Sequence, residues 1–182
     1  MAECETCIII PAFNEEVTIG EIVRKASAYG KIIVIDDCST DGTVNNVRST
    51  SAILLQNKTN LGYVNSLNKG VQYALDRKFE KIITIDADGE HNPDYIPQIV
   101  AALTNHSLVV CERNKKNRLI EYLFGAYTKF KFGFNDPLSG FKGYQSQFLS
   151  DNKLLGSEPF IGTEVLANAI NENARIKSIK TL

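Results

Sequence analysis

The residues with the clearest chemical potential are Asp86 and Asp88, which sit two apart at the end of the apolar run Ile82-Ile-Thr-Ile85. In an extended chain, side chains two apart point to the same side. Their carboxylates can therefore hold one hard divalent cation, Mg or Mn, through oxygen ligands, leaving positions for phosphate oxygens and water. Such a cation neutralises charge as a diphosphate departs. Glu90 can supply a third oxygen, and Gly89 lets the chain turn. A bare D-x-D spacing also describes a solvated acidic loop. Position separates the two readings: carboxylates directly after a buried strand lose water unless positive charge meets them. His91 reads as an ordinary hydrogen-bonding loop residue, and His106, in a Thr-Asn-His turn, is assigned no role.

A second acidic pair, Asp36-Asp37, opens the segment Asp-Asp-Cys-Ser-Thr-Asp-Gly-Thr43. One Asp at a strand end can accept hydrogen bonds from a nucleobase N–H or amino group. Turn and cap chemistry accounts for Asp41 and Thr43, but it does not require two adjacent acids, so base contact is assigned to Asp37. A third polar cluster, Pro11-Ala-Phe-Asn-Glu-Glu16, offers the Phe13 ring to a base plane. Taken alone it reads as an N-cap at Asn14 with two acids in the first helical turn.

The elements that must position these clusters alternate along the chain. Strands are expected at Thr6–Ile10, Lys31–Asp36, Ala52–Leu55, Lys81–Asp86 and Ser107–Cys111. Helices are expected over Val17–Ala28, from the loop at Ser39–Thr43, over Leu61–Phe79 and from Pro93 to about Leu103. Apolar strands without alternation are buried on both faces, the mark of a parallel sheet between helices. Ligands in such sheets bind at the carboxyl ends of the strands, where all three polar clusters fall. Further on, Asn117–Phe132 reads as a helix and Asn135–Phe141 as a turn-rich loop. Gly162–Asn173 looks helical, and Arg175–Leu182 resembles a last short strand. The 182 residues suit a single domain, with a donor-binding half over about 1–111 and an acceptor-side half over about 112–182.

Together the segments P-A-F-N-E-E, D-D-C-S-T-D-G-T and D-A-D-G-E-H-N-P resemble the family-2 glycosyltransferases. The likeness is greatest to the dolichol-phosphate mannose synthase and polyprenyl-phosphate glycosyltransferase branch. Asn60-Leu-Gly62, Asn68-Lys-Gly70 and Asp136-Pro-Leu-Ser-Gly-Phe141 continue the match in order. The resemblance implies a nucleotide-binding fold of glycosyltransferase A type, mostly parallel with helices on both faces, and an inverting transfer from a GDP- or UDP-linked sugar. It places Pro11, Phe13, Glu15, Ile35 and Asp37 at the nucleoside, Asp86, Ala87 and Asp88 at the donor, and Asp88 and Glu90, with Asp86, at the metal. Arg113 would meet donor phosphates, Asp136 would serve the acceptor side as base or orienter, and Glu164 matches a family glutamate on a late helix.

The sequence departs from the pattern in places. Phe13 stands where tyrosine is usual, Glu90 where glutamine is frequent, and Lys142 where arginine is common. The ending Lys177–Leu182 lacks the usual Glu-Val-Pro, which leaves the chain minimal or truncated.

The net charge of −1 gives no basic footprint for nucleic acid. No apolar run approaches the ~18–20 residues of a membrane span, and the acidic start is unlike a signal peptide, so a cytoplasmic location is expected. Cys4 and Cys7 form a C-x-x-C without a second ligand pair, and Cys38 and Cys111 have no metal-ligand neighbours. All four read as reduced thiols. The basic and aromatic residues from Arg113 to Lys131 suggest a helix lying on an anionic membrane surface, beside a lipid-phosphate acceptor. Three functions follow: transfer to a polyprenyl or dolichyl phosphate, transfer to a glycan or other hydroxyl, or nucleotide-sugar binding without turnover.

Overall fold

The computed structural model describes residues 5–113, 139–151, 165, 169 and 174–181. The helices expected over 117–132 and most of 162–173, and the residues Asp136 and Glu164, lie outside them. Val165 and Ala169 are helical.

The strands are β1 (Thr6–Ala12), β2 (Lys31–Asp36), β3 (Ile53–Gln56), β4 (Lys81–Thr84), β5 (Leu108–Arg113), β6 (Lys142–Gln145) and β7 (Ile176–Thr181). The helices are α1 (Ile19–Ala26), α2 (Thr43–Arg48), α3 (Tyr63–Asp76), α4 (Ile96–Ala102), preceded by a 3₁₀ turn at Pro93–Tyr95, and α5 (Ser146–Asp151). Among the described residues the strands form one seven-stranded sheet in the order β3-β2-β1-β4-β6-β5-β7. All neighbours are parallel except β6, which runs antiparallel to both β4 and β5.

Alternation along β1 explains why its run is apolar throughout. Ile8 and Ile10 pack with Ile19, Ile22 and Val23 of α1 and with Ile96 and Ile99 of α4. Cys7 and Ile9 face the other way, onto Leu67, Val71 and Ala74 of α3. Each face of the sheet thus has its own core layer. Cys7 and Cys111 are free thiols buried in strands, and burial pushes Cys111 up to about 12.

Several boundaries differ from the sequence-based expectation. The first strand continues through Pro11 and Ala12. The helix after it starts at Ile19 rather than Val17, because Val17 is left in water and Thr18 turns its hydroxyl elsewhere (see below). The last expected strand is present at Ile176–Thr181. Strand β6 was not foreseen: Lys-Gly-Tyr-Gln carries no apolar run, yet it pairs Ile83↔Gly143 and Val109↔Gly143. Gly143 is required there, since a Cβ would run into Ile99 of α4.

Gly70 has a similar task on the opposite face. A Cβ at this position of α3 would lie 2.5 Å from Ile35 Cδ1 and 2.6 Å from Ile9 Cγ2. Gly70→Ala should therefore destabilise the protein by about 1–2 kcal/mol, the overpacking cost exceeding the gain in helix propensity. An unchanged or raised urea midpoint would show slack between α3 and the sheet.

Candidate functional site

At the carboxyl ends of β1, β2 and β4 the chain leaves the sheet in three loops, which surround a cavity of about 360 Å³. Pro11 lines it from the end of β1, Phe13 and Glu15 from the first loop, Asp37 from the second, and Asp86, Ala87 and Asp88 from the third. Asn60, Gly62, Tyr63 and Ser66 close it from the start of α3. The three polar clusters do converge.

The first two loops are stitched together by hydrogen bonds. Asn14, at φ 56°, accepts from Thr40 N at 2.9 Å through its side chain, and its own N–H donates to Ser39 Oγ at 2.9 Å. Glu16 Oε2 accepts from Gly42 N at 2.7 Å, and Glu16 N donates to Asp41 Oδ2 at 3.1 Å. Asn14 is thus a cross-loop brace rather than a helix N-cap. The αL conformation it adopts is one that Asn tolerates. Asp41 accepts from Thr43 N at 3.0 Å, the turn chemistry expected of it.

The two adjacent acids divide their tasks. Asp36, 1% exposed, accepts from Ser39 N at 3.2 Å and holds the loop. Asp37, 4% exposed, faces the cavity but is already engaged. Its Oδ1 accepts from Asn57 Nδ2 and from Leu61 N, and its Oδ2 from Gly62 N, each at 2.8 Å. Gly62 can aim its N–H there because it adopts φ +83°, which a side chain would resist. Burial alone would raise the Asp37 carboxyl, but the hydrogen bonds from Leu61, Asn57, Ser66 and Gly62 outweigh it and hold the group below the usual carboxylate range.

The third loop carries the Asp86–Asp88 pair. Thr18 Oγ1 donates to Ala87 O at 2.6 Å and so ties the loop to the start of α1. Asp88 Oδ1 accepts from Glu90 N at 2.9 Å, with Gly89 at φ +82° making the turn. Among the described residues, Asp88 Oδ2 accepts no hydrogen bond. Asp86 is more constrained. Tyr63 donates its hydroxyl to Asp86 Oδ1 at 2.7 Å, and Gly140 lies so close that a Cβ there would occupy the carboxylate's place. Burial of the hydroxyl end, then the charge and hydrogen bond of Asp86, push the Tyr63 phenol well above its ordinary value, so it stays a donor.

Two expected site residues lie elsewhere. Ile35 is fully buried, and its side chain packs under α3 at Gly70 instead of lining the cavity. Glu90 faces a neighbouring cleft lined also by Thr18, Glu21, Lys25 and Asp94. His91 also departs from its reading as a hydrogen-bonding residue. It is buried, neither ring nitrogen has a hydrogen-bond partner among the described residues, and Phe141 lies 5.3 Å away at 49°. Its Nε2 stands 3.5 Å from Asp86 Oδ2. Arg113 ends β5, and Asp136 lies outside the described residues.

Tyr63 and Ser66, which line the cavity, and Gly140, which abuts Asp86, were not among the expected site residues. Tyr63 and Ser66 read as ordinary positions of an amphipathic helix. Only their closeness to Asn60-Leu-Gly62 marked them.

Among the described residues no three potential ligands are gathered for a metal. Two carboxylates on one cavity wall, one with an unpartnered oxygen, nevertheless fit an ion whose other ligands come from a diphosphate and water.

The chain belongs to glycosyl transferase family 2, whose family model matches residues 7–155. An uncharacterised protein of Methanocaldococcus jannaschii is 32% identical over 168 residues, covering 80% of this chain and 73% of its own. The undecaprenyl-phosphate mannosyltransferase of Micrococcus luteus is 26% identical over 162 residues, covering 78% of this chain and 66% of its own. The fold is of glycosyltransferase A type. Glucosyl-3-phosphoglycerate synthase from Mycobacterium tuberculosis, solved with Mn2+, UDP and glucosyl-3-phosphoglycerate, superimposes with a TM-score of 0.78 at 20% identity, covering 98% of this chain and 70% of the other. Across three curated relatives, the chain spans 40%, 73% and 66% of their lengths. No helix among the described residues is long and apolar enough to cross a membrane.

Proposed function

We propose that this chain transfers a glycosyl group, with inversion, from a nucleoside diphosphate sugar to a polyprenyl or dolichyl phosphate. The observation that carries the donor half is one cavity with Asp37 on one wall and Asp86 and Asp88 on another. The nucleoside lies along Pro11, Phe13, Glu15 and Asp37, and the diphosphate reaches the acidic pair. Asp88, with Asp86, would hold a divalent cation that neutralises the departing diphosphate. The family pattern assigns Glu90 to the same ion, but it faces the neighbouring cleft, so the remaining ligands would come from the diphosphate and water. Arg113 and Asp136 serve the phosphates and the acceptor in this reading.

The acceptor class is supported by the similarity to the Micrococcus luteus enzyme, an undecaprenyl-phosphate mannosyltransferase. A phosphate monoester is already a nucleophile at neutral pH and needs no strong base, so Asp136 would orient it. A hydroxyl acceptor would need Asp136 as base. The membrane contact expected around residues 113–131 would bring the enzyme to a lipid acceptor.

Calorimetry of nucleoside diphosphates and their sugars, with and without manganese, tests the donor half. Binding strengthened by manganese is expected, and none by any of them would defeat the reading. A product assay with polyprenyl phosphate against soluble sugars tests the acceptor. Turnover with sugars alone moves the chain to the hydroxyl class, and binding without turnover makes it a binding module.

A further inference from the structure

Asp37 has fewer acceptor positions to offer a base than its place in the cavity suggests. A carboxylate has about four lone-pair sites, two on each oxygen. Both sites on Oδ1 are filled, by Asn57 Nδ2 and Leu61 N, and one on Oδ2 is filled by Gly62 N. The fourth site is within reach of the Ser66 hydroxyl, which itself accepts from Asn57 Nδ2 at 2.8 Å. A hydroxyl can turn away, whereas two backbone N–H groups and a braced amide cannot.

The amide is braced by Lys69. Its Nζ donates to Asn57 Oδ1 at 2.7 Å and to Gln56 O at 3.0 Å. An ammonium group can only donate, so the Asn57 amide is fixed with its oxygen on Lys69 and its nitrogen on Asp37. A flip would set oxygen against carboxylate and nitrogen against ammonium.

On the proposed reading of the cavity as a nucleotide-sugar site, we infer that this chain selects uracil over guanine because Asp37 can accept one hydrogen bond from a base and not two. Uracil presents a single N–H, at N3, flanked by carbonyls that require no acceptor. Guanine presents N1–H and the C2 amino group side by side, a pair that needs one free site on each carboxylate oxygen. With Oδ1 full, one guanine donor is left unpaired in the cavity. A buried unsatisfied donor of this kind weakens binding about tenfold or more.

The experiment is calorimetry of the intact chain with UDP, GDP and inosine diphosphate in manganese. Hypoxanthine keeps N1–H and lacks the amino group, so it isolates the second donor. UDP is expected to bind at least about tenfold more tightly than GDP, and inosine diphosphate at least as tightly as GDP. GDP equal to or tighter than UDP, or tighter than inosine diphosphate, would overturn the inference. If none of the three binds, the nucleotide-site reading itself has failed, which is a different result. Lys69→Met removes the brace that holds the Asn57 amide on Asp37, so the amide can swing away and yield its site on Oδ1 to a second base donor. The UDP-to-GDP affinity ratio should fall several-fold, and an unchanged ratio would overturn the part assigned to the Lys69–Asn57 brace.

Discussion

Asp88→Asn should abolish the manganese dependence of nucleotide binding and lower glycosyl transfer by about 10²–10³-fold, a loss typical of removing one electrostatic group from a reacting centre. The substitution is chosen to spare the fold. An asparagine oxygen can still accept from Glu90 N, so the turn through Gly89 survives. What disappears is the negative charge of a carboxylate whose second oxygen has no hydrogen-bond partner among the described residues. Metal-titration calorimetry beside a transfer assay reads both consequences, with the thermal midpoint as a control for folding. Turnover within about threefold of the parent protein would mean that the cation, if used, is held elsewhere.

Gly140→Ala should lower turnover by about 100-fold through Asp86, a residue far away in sequence. A Cβ at 140 and the Asp86 carboxylate cannot share the same space. The backbone at 140 has little freedom to retreat. Gly140 O accepts from Thr84 Oγ1 at 2.8 Å, Phe141 O accepts from Cys111 N at 3.0 Å, and Phe141 itself is fully buried. The carboxylate is the part that moves, and it leaves the Tyr63 hydroxyl as it goes. A displacement near 1 Å in a reacting constellation costs on the order of 10² in rate. Tyr63→Phe serves as the comparison, because it removes the same hydrogen bond without pushing the carboxylate. Its effect should be the smaller of the two. If Tyr63→Phe is as harmful as Gly140→Ala, the hydrogen bond and not the displacement is what matters.

What could be read from the sequence follows from the range of the interactions involved. The β1–β5 frame was legible because each strand is a continuous apolar run and each helix carries its own periodicity, both local signals. Asp37, Asp86 and Asp88 were legible because strand ends in a parallel sheet lie together whatever else the fold does. Strand β6 was not, since Lys-Gly-Tyr-Gln acquires its identity from β4 and β5 on either side. Ile35 was carried over from the family pattern, and its burial under α3 depends on the absence of a side chain at Gly70. The closeness of Gly140 to Asp86 joins positions with no common sequence signal. Asn14 and Glu16 looked like the start of a helix because their partners, Ser39 to Gly42, belong to another loop. Residues whose role is set by contact across loops remained hidden, while those set by strand position did not.

The reversed direction of β6 lets the connection between β5 and β6 vary without loss of the sheet. Strand β5 runs out at the carboxyl edge of the sheet and β6 enters from that edge, paired Val110↔Lys142. Cys111 N also donates to Phe141 O at 3.0 Å, so sheet hydrogen bonds hold the two strands together near the point where the chain leaves one and enters the other. For a connection between two strands already paired, each doubling in length adds in general only about 0.6 kcal/mol of entropy cost. Length and composition there can drift, or be exchanged wholesale, at little thermodynamic expense to the donor half. On the proposed reading, the same scaffold can thus be refitted for a new acceptor without being rebuilt.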